Sequence, residues 1–360
     1  MKRLFISDCE GPISKNDNAF ELASQFLPNG DRLFATISKY DDIIAYILKR
    51  PGYRAGYTLK LILPFLKAFD VTDQMIREFS AQNLMLVSNA AGMLQYIGKI
   101  AHAFIVSTSY EHYIKVLCKK LSFPYENTYC TKMSLDHYEL AEGENKKLKQ
   151  YSLEISRMPV LEITQDVKSL EDFPTEQRAI IHRLDEIFWN EIPEMKIGLI
   201  FQNVMPVGSG EKAEAVVATV EKLGTGLRNV MYIGDSVTDV EALRLVAKNR
   251  GLAISFNGNR YAVANANIAI LSEDSIITTL IADVFCRFGR EEALSLVQNW
   301  SRDELKDCRA NKILLSRLLE TYPTELPKAR IVSRENVDAL SRESTEFRKR
   351  IRGEAVGGLG

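Results

Sequence analysis

Short apolar runs recur along the chain. They occupy residues 3–8, 103–107, 229–235, 251–257 and 268–271, and they are rich in β-branched, aromatic and other apolar residues. The first three end abruptly in small or acidic side chains. Runs of this length without polar alternation are typical of strands that are covered on both faces of a parallel sheet. The pattern therefore predicts five buried strands.

Helical patterns fill the intervals between these runs. They cover residues 90–100, 110–121, 211–223 and 237–248. Strands that alternate with helices of this length indicate βαβ units, and right-handed crossovers bring the strand ends to one edge of the sheet. The predicted fold class is α/β, with a doubly wound, Rossmann-like parallel sheet.

Two long segments interrupt this alternation. Residues 16–85 are almost entirely helical in pattern, and residues 131–199 are charged and mixed, with a helical stretch at 175–189. Both lie between strand-end motifs, so we interpret them as insertions above the edge of the sheet where ligands bind. The predicted organisation is a catalytic core of residues 1–15, 86–130 and 200–290, a helical cap of 16–85, a second insertion of 131–199, a helical C-terminal extension of 291–352 and a flexible glycine-rich tail of 353–360.

Composition and charge narrow the possible partners. The chain has 46 basic and 47 acidic residues, and this balance favours neither a nucleic acid nor direct insertion into a membrane. Its five cysteines form no CxxC pair, so neither a disulfide framework nor a zinc site is indicated. The apolar run at the N-terminus is too short for a signal peptide. We expect a cytoplasmic protein.

Six polar residues lie at the predicted strand ends or at a helix start. Ligands in open α/β sheets bind outside the carboxyl ends of the strands, so these residues are candidates for one site. They are Asp8 and Glu10 after the first strand, Ser107 at the end of the second, Lys212 at the start of a helix, and Asp235 and Asp239 after the third.

This set contains the parts that phosphoryl transfer requires. A carboxylate such as Asp8 can attack a phosphoryl group and form an aspartyl phosphate. Several acidic groups around one phosphate would repel it, so Mg²⁺ is the expected cofactor. Lys212 and Ser107 would bind phosphoryl oxygens, and Glu10 would protonate the leaving oxygen and later activate water.

The motifs also resemble those of the haloacid dehalogenase superfamily. Residues 8–12 resemble its first motif, DxDGT, with Glu10 in the second acidic position. Residues 104–107 resemble the second motif, Lys212 the third, and residues 234–239 the fourth, GDxxxD. The similarity is greatest to phosphoserine phosphatases, and it extends to residues 251–257 and 266–270. The chain also resembles archaeal predicted phosphohydrolases, some of which are labelled as a subunit of an energy-converting hydrogenase.

The resemblance implies a role for each candidate. Asp8 would be the nucleophile and a metal ligand, and Glu10 the general acid/base with its main-chain carbonyl on the metal. Asp235 would be the third protein ligand of Mg²⁺, and Asp239 would support the metal site or Lys212. The glutamate at position 10 departs from the usual aspartate, although enolase-phosphatases share it.

Each candidate also has an ordinary structural interpretation. Asp8 and Asp235 could be turn or capping residues, Glu10 and Lys212 solvated side chains, and Ser107 the cap of the helix that begins near residue 110. Asp239 could be a helix-start acid that the helix dipole favours. The rival function is a binding or scaffolding subunit that has kept the fold without turnover. The expected partner is a small phosphorylated metabolite, and a homodimer or a place in a larger complex stays open.

Overall fold

One mixed sheet of seven strands forms the centre of the computed structural model, which describes residues 3–163 and 167–358. The spatial order is β3-β2-β1-β4-β5-β6-β7, and all neighbours are parallel except the antiparallel pair β6 and β7. The predicted doubly wound parallel sheet is confirmed, with one antiparallel edge strand added. The strands are β1 Leu4–Ser7, β2 His102–Tyr110, β3 Thr128–Thr131, β4 Val230–Gly234, β5 Leu252–Phe256, β6 Ile268–Leu271 and β7 Lys328–Ile331.

The structure contains the five predicted strands and differs from the prediction in the length of one strand and in two additional strands. The five predicted strands are present, but β2 continues three residues beyond Ser107 and shifts its register against β3 between Val106 and Tyr110. Strands β3 and β7 were not predicted. Each has only four residues and lies at an edge of the sheet, where a strand needs no long apolar run.

Helices cover both faces of the sheet and form the segments between the strands. From the N-terminus to residue 203 they are α1 Asn18–Phe26, α2 Gly30–Asp42, α3 Thr58–Leu61, α4 Leu63–Ala68, α5 Asp73–Asn83, α6 Ala90–Ile100, α7 Glu111–Leu121, α8 Glu144–Ser156, α9 Thr175–Asp185 and α10 Ile200–Asn203. Two π-helical turns, Ile43–Ile47 and Glu186–Glu191, continue α2 and α9. The remaining helices are α11 Ser209–Lys222, α12 Val240–Lys248, α13 Arg260–Ala264, α14 Ile276–Phe288, α15 Arg290–Gln298, α16 Arg302–Lys306, α17 Lys312–Thr321, α18 Val337–Arg352 and α19 Glu354–Gly357.

Burial on both faces explains why the strands lack polar alternation. In β1, Leu4 and Ile6 belong to one hydrophobic cluster, and Phe5 belongs to another on the opposite face. All three side chains are fully buried. A polar residue on either face would therefore lose its hydration, and the apolar run follows from the helices on both sides.

The two segments interpreted as separate insertions share one hydrophobic cluster. It joins α1–α5 with α8–α10 and excludes the sheet except near the end of β2. Tyr40 from α2 stacks on Phe188 from the second segment, with ring centroids 5.8 Å apart. Arg50 also lies 2.7 Å from the carboxylate of Asp185. A single layer made of both segments therefore covers the carboxyl edge of the sheet.

The C-terminal helix α18 packs against α13 and β6, and α19 folds back on it. Ser344 in α18 donates a hydrogen bond of 2.6 Å to the main-chain oxygen of Gly258, which follows β5. In the segment predicted as a flexible tail, Glu354–Gly357 forms the short helix α19. Residues 359 and 360 of that tail lie outside the described residues. The extension thus reaches the same edge of the sheet as the candidate site.

None of the helices among the described residues has both the length and the apolar character that a bilayer crossing requires.

Candidate active site

The carboxyl edge of the sheet brings four of the predicted residues into one cluster. The ammonium nitrogen of Lys212, in the first turn of α11, lies 2.6 Å from Asp8 Oδ2 and 2.9 Å from Asp239 Oδ1. Asp235 follows β4, next to β1 and Asp8. All four side chains are buried, and that of Lys212 has no solvent exposure at all. The plain surface interpretation of Lys212 is therefore wrong.

The carboxylate of Asp239 accepts hydrogen bonds from several groups of this cluster. Its Oδ1 accepts hydrogen bonds from Lys212 and from the Tyr232 hydroxyl, 2.7 Å away, and its Oδ2 accepts the main-chain N–H groups of Asp235 and Ser236. A β-carbon at residue 234 would overlap the Asp239 carboxyl group, so glycine is required there. Asp239 positions Lys212 and the turn that carries Asp235, as the predicted supporting role requires.

Burial and neighbouring charges shift the pKa values of the clustered side chains. Burial, followed by the charge of Asp239, raises the pKa of the Asp8 carboxyl well above its usual value. Burial lowers the pKa of Lys212, but the charges of Asp239 and Asp8 outweigh it and raise that pKa overall. Burial likewise raises the pKa of Asp239, but the charge of Lys212 and the hydrogen bonds from Lys212, Tyr232 and the main chain together outweigh it, so the net pKa is lowered. Lys212 and Asp239 are therefore a stable ion pair beside Asp8.

Glu10 lies at the mouth of the cluster, in the lining of a cavity that Asp8 and Asp235 also line. Its Oε1 accepts the main-chain N–H of Asn18 at 2.8 Å. Burial and then the charge of Asp17 raise the pKa of Glu10 well above its usual value. A raised pKa favours the protonated form of a carboxyl group, the form that can donate a proton to a leaving group.

Ser107 occupies a different position from the one the motif predicts. Its hydroxyl is buried, donates to Ser109 Oγ at 3.0 Å and accepts the Ser109 N–H at 3.2 Å. The cavity is lined instead by Thr108 and Ser109. The Thr108 hydroxyl oxygen is buried, and it has no hydrogen-bond partner among the described residues. The end of β2 therefore presents hydroxyl groups to the cavity, with Ser107 behind them.

The cavity has a volume of about 100 Å³, and helices of the first inserted segment cover it. Phe34, Ser38 and Asp42 of α2 lie in its wall. The contact between cover and core is close, because the Ser209 N–H donates to the Ala55 main-chain oxygen at 3.1 Å. The structure therefore represents a closed arrangement.

Two arginines that the sequence analysis did not identify also line the cavity. Arg348 and Arg352, one turn apart in α18, both form ion pairs with Asp235 Oδ2, the latter at 2.9 Å. They lie more than 100 residues from the motif residues along the chain. Nothing in the sequence distinguishes them from the neighbouring arginines 342 and 350.

The acidic groups fit a divalent cation bound through oxygen. Carboxylate oxygens of Asp8, Asp235 and Asp239 all lie within 4.8 Å of one another. Seven carboxylates lie in or beside the cavity, at positions 8, 10, 17, 41, 42, 235 and 239, against the cations at 212, 348 and 352. In their ionised forms these groups leave four negative charges in excess. Because Asp239 already accepts five donors, Asp8 and Asp235 are the candidates to hold a hard cation such as Mg²⁺.

The order of the elements matches the motif order of the superfamily that the sequence resembles. The first motif follows β1, the second lies in β2, the third is in α11 and the fourth follows β4, and all four meet at one edge of the sheet. The fold is an α/β fold with a mostly parallel sheet, and its elements follow the order that the sequence resemblance implies.

Comparisons with known proteins place this fold among solved structures. No protein-family model matches the chain, and no curated protein sequence matches it. A solved gene product of Archaeoglobus fulgidus has a TM-score of 0.79 and 25% identity, over 100% of this chain and 99% of that chain. A substrate-bound phosphoserine phosphatase has a TM-score of 0.46 and 14% identity, over 77% of this chain and 98% of that chain.

Gly11 allows the loop after β1 to approach Asp235, and an alanine there should disrupt the candidate site. Gly11 has a φ of +96°, and a β-carbon would overlap the Asp235 carboxyl group. We expect Gly11→Ala to lower the turnover number by about 100-fold and stability by about 1–3 kcal/mol. The matched control is Gly52→Ala, because Gly52 also has a positive φ, +74°, but nothing within 4 Å. Equal activity of the two variants would show that the close approach does not matter.

Asp42 should make stability depend on pH. Burial raises its pKa from 3.8 to about 7. Between those pH values the folded carboxyl keeps a proton that the unfolded one has lost, so stability falls as pH rises from about 4 to about 7. We expect Asp42→Asn to be more stable than the wild type by about 1–3 kcal/mol at pH 8, and the difference to shrink at pH 5.

Urea denaturation at several pH values measures this difference. The exposed Asp31→Asn in the same helix is the control, and it should show no such slope between pH 5 and 8. A difference for Asp42→Asn that does not change with pH would contradict the expectation.

Proposed function

We propose that this protein is a Mg²⁺-dependent phosphomonoester hydrolase that acts through an aspartyl phosphate on Asp8. The observation that carries the proposal is the buried contact of Lys212 with both Asp8 and Asp239, behind a cavity that Asp8, Glu10 and Asp235 line. A carboxylate that can act as nucleophile, a cation that holds it and a carboxyl group whose pKa is raised thus lie at one edge of the sheet.

In the first step an oxygen of the Asp8 carboxylate attacks phosphorus, and the bond between phosphorus and the ester oxygen breaks. Glu10 gives its proton to that oxygen, so the alcohol leaves in neutral form. Lys212 favours the ionised form of Asp8 and orients it, because the two side chains are 2.6 Å apart. The Thr108 hydroxyl, which lacks a partner among the described residues, is available to donate to a phosphoryl oxygen.

In the second step water attacks the same phosphorus. The Glu10 carboxylate, which lost its proton in the first step, accepts a proton from that water. The bond between phosphorus and Asp8 breaks, phosphate is released, and Asp8 and Glu10 return to their starting forms. The covering helices exclude bulk water during both steps. A single water that takes the place of the departed alcohol is then the nucleophile of the second step.

The residues that would hold Mg²⁺ are Asp8, Asp235 and the main-chain carbonyl of Glu10. Bound Mg²⁺ neutralises charge on the phosphoryl oxygens. Asp239 is the less suitable ligand, because its two oxygens already accept hydrogen bonds from five donors, whereas each oxygen of Asp8 accepts one.

We further propose a small phosphorylated metabolite as the substrate, and the cytoplasm as the compartment. The cavity of about 100 Å³ beneath the covering helices favours a small molecule over a phosphorylated protein segment. The five cysteines are free thiols, which is usual in a reducing compartment.

A panel of small phosphomonoesters, assayed with Mg²⁺ and with a chelator, tests the proposed function. We expect release of inorganic phosphate from at least one compound, and loss of that activity when the metal is chelated. Hydrolysis of none of them would favour the alternative of a binding or scaffolding subunit.

A further inference from the structure

One face of the C-terminal helix α18 lies against the candidate active site. Ser341, Ser344, Arg348 and Arg352 recur at helical spacing on that face. Ser344 is fixed to the loop after β5, and Arg348 is only 3% exposed. Burial of an arginine is unfavourable unless its donors find acceptors, so these contacts require an explanation.

The donors of the two arginines are used differently. Arg352 donates to Asp235 Oδ2 and, through Nε at 2.9 Å, to the main-chain oxygen of Lys15, and it also contacts the main-chain oxygen of Asn16. Arg348 donates through Nη1 to the carboxylate and to the main-chain oxygen of Asp235. Its Nε is buried and has no hydrogen-bond partner among the described residues. Arg352 is therefore anchored by protein acceptors, whereas Arg348 has an unused donor.

These two arginines are also the only basic residues among the described residues that line the cavity. The same lining contains six carboxylates, at positions 8, 10, 17, 41, 42 and 235. Lys212 is enclosed between Asp8 and Asp239 behind the lining. A phosphate dianion that enters this acidic cavity needs charged donors in the wall, and the side chains in the right place are Arg348 and Arg352.

We propose that Arg348 binds the phosphoryl group of the substrate and the phosphate product through guanidinium donors that Asp235 does not use, and that Arg352 is the positioning residue that fixes α18 to the loop at residues 15–16. This proposal rests on the proposed function. The planar guanidinium suits phosphate oxygens, and the contact of Arg348 with Asp235 holds it beside the candidate metal ligand. The C-terminal extension thereby becomes part of the active site.

A purely structural role for Arg348 makes a different prediction. If its guanidinium only held Asp235 in place, its loss would weaken the binding of Mg²⁺ and leave phosphate binding at saturating Mg²⁺ unchanged. If Arg348 binds the anion, phosphate affinity falls at saturating Mg²⁺.

The experiment measures the calorimetric affinity of the full-length protein for inorganic phosphate at saturating Mg²⁺, which requires no turnover. We expect Arg348→Met to weaken phosphate binding by about tenfold or more, and Arg348→Lys, which keeps the charge but loses the planar fork, by about threefold to tenfold. Arg350→Met is the matched control, because its side chain is 66% exposed in the same turn and should leave the affinity unchanged. Thermal unfolding of each variant checks that it is folded, and Arg348→Lys carries the test if Arg348→Met does not fold.

Each outcome decides one claim. Wild-type phosphate affinity in a folded Arg348→Met or Arg348→Lys variant would overturn the role of Arg348, and so would an equal loss in Arg350→Met. A wild type that binds phosphate but hydrolyses no phosphomonoester would overturn the proposed function and leave the phosphate site standing. If the wild type hydrolyses phosphomonoesters but a folded Arg348 variant keeps the wild-type phosphate affinity, the role of Arg348 is overturned and the proposed function stands.

Discussion

Replacement of Asp8 by asparagine is expected to reduce phosphomonoester hydrolysis by about 10⁴-fold or more, with the protein still folded. The amide has the same shape as the carboxyl group but cannot attack phosphorus. Because burial already raises the pKa of Asp8, loss of its charge should not destabilise the cluster. Lys212 keeps its second acceptor, Asp239, at 2.9 Å.

The matched control for the loss of the nucleophile is the replacement of a second carboxylate in the same cavity. Asp42→Asn changes the charge of the lining equally but alters no group assigned to the reaction. Initial rates of phosphate release should fall in Asp8→Asn and stay within a few-fold of the wild type in Asp42→Asn. Similar rates in the two variants would show that Asp8 is not the nucleophile.

Replacement of Lys212 by methionine is expected to have the largest effect on stability. It leaves Asp8 and Asp239 buried without their shared cation, and the loss of one member of a buried ion pair typically lowers stability by about 3–5 kcal/mol. Urea denaturation measures this change at neutral pH. Since the uncompensated carboxyl groups would have raised pKa values, the variant should regain stability as pH falls.

Two further variants test that reason. Lys222→Met, on the exposed end of the same helix, should change stability by less than about 0.5 kcal/mol. The double variant Lys212→Met with Asp239→Asn should be more stable than the sum of the single changes, because one buried charge is removed together with its partner. Strict additivity would mean that the ion pair observed between these residues is not coupled.

The sheet could be predicted from the sequence because its strands are buried on both faces. In β1, the apolar residues Leu4, Phe5 and Ile6 alternate between two clusters, so every position had to be apolar. The four-residue edge strand β7 carries no such signal, since only Ala329 is fully buried in it. The shared cluster of the two inserted segments was also not predictable. Contacts such as Tyr40 with Phe188 depend on three-dimensional packing between residues about 150 positions apart.

The candidate site likewise contains some residues that the sequence predicts and others that it does not. Asp8, Lys212, Asp235 and Asp239 follow from strand ends and motif spacing, because topology alone brings strand ends together. The arginines of α18 do not, since a buried arginine and an exposed one have the same sequence signal. Positions 107–109 are an intermediate case. The motif identified strand β2 correctly, but β2 extends to residue 110, and the hydroxyl groups that line the cavity belong to Thr108 and Ser109.

The central claim is the covalent aspartyl phosphate on Asp8, and acid quenching during turnover tests it most directly. The protein is mixed with Mg²⁺ and a hydrolysed phosphomonoester, quenched, digested with trypsin and analysed by mass spectrometry. We expect the peptide of residues 4–15 to carry one phosphoryl group that hydroxylamine removes, and Asp8→Asn to carry none. Sustained hydrolysis by the wild type with no phosphoryl group on that peptide, together with undiminished activity of Asp8→Asn, would contradict the account.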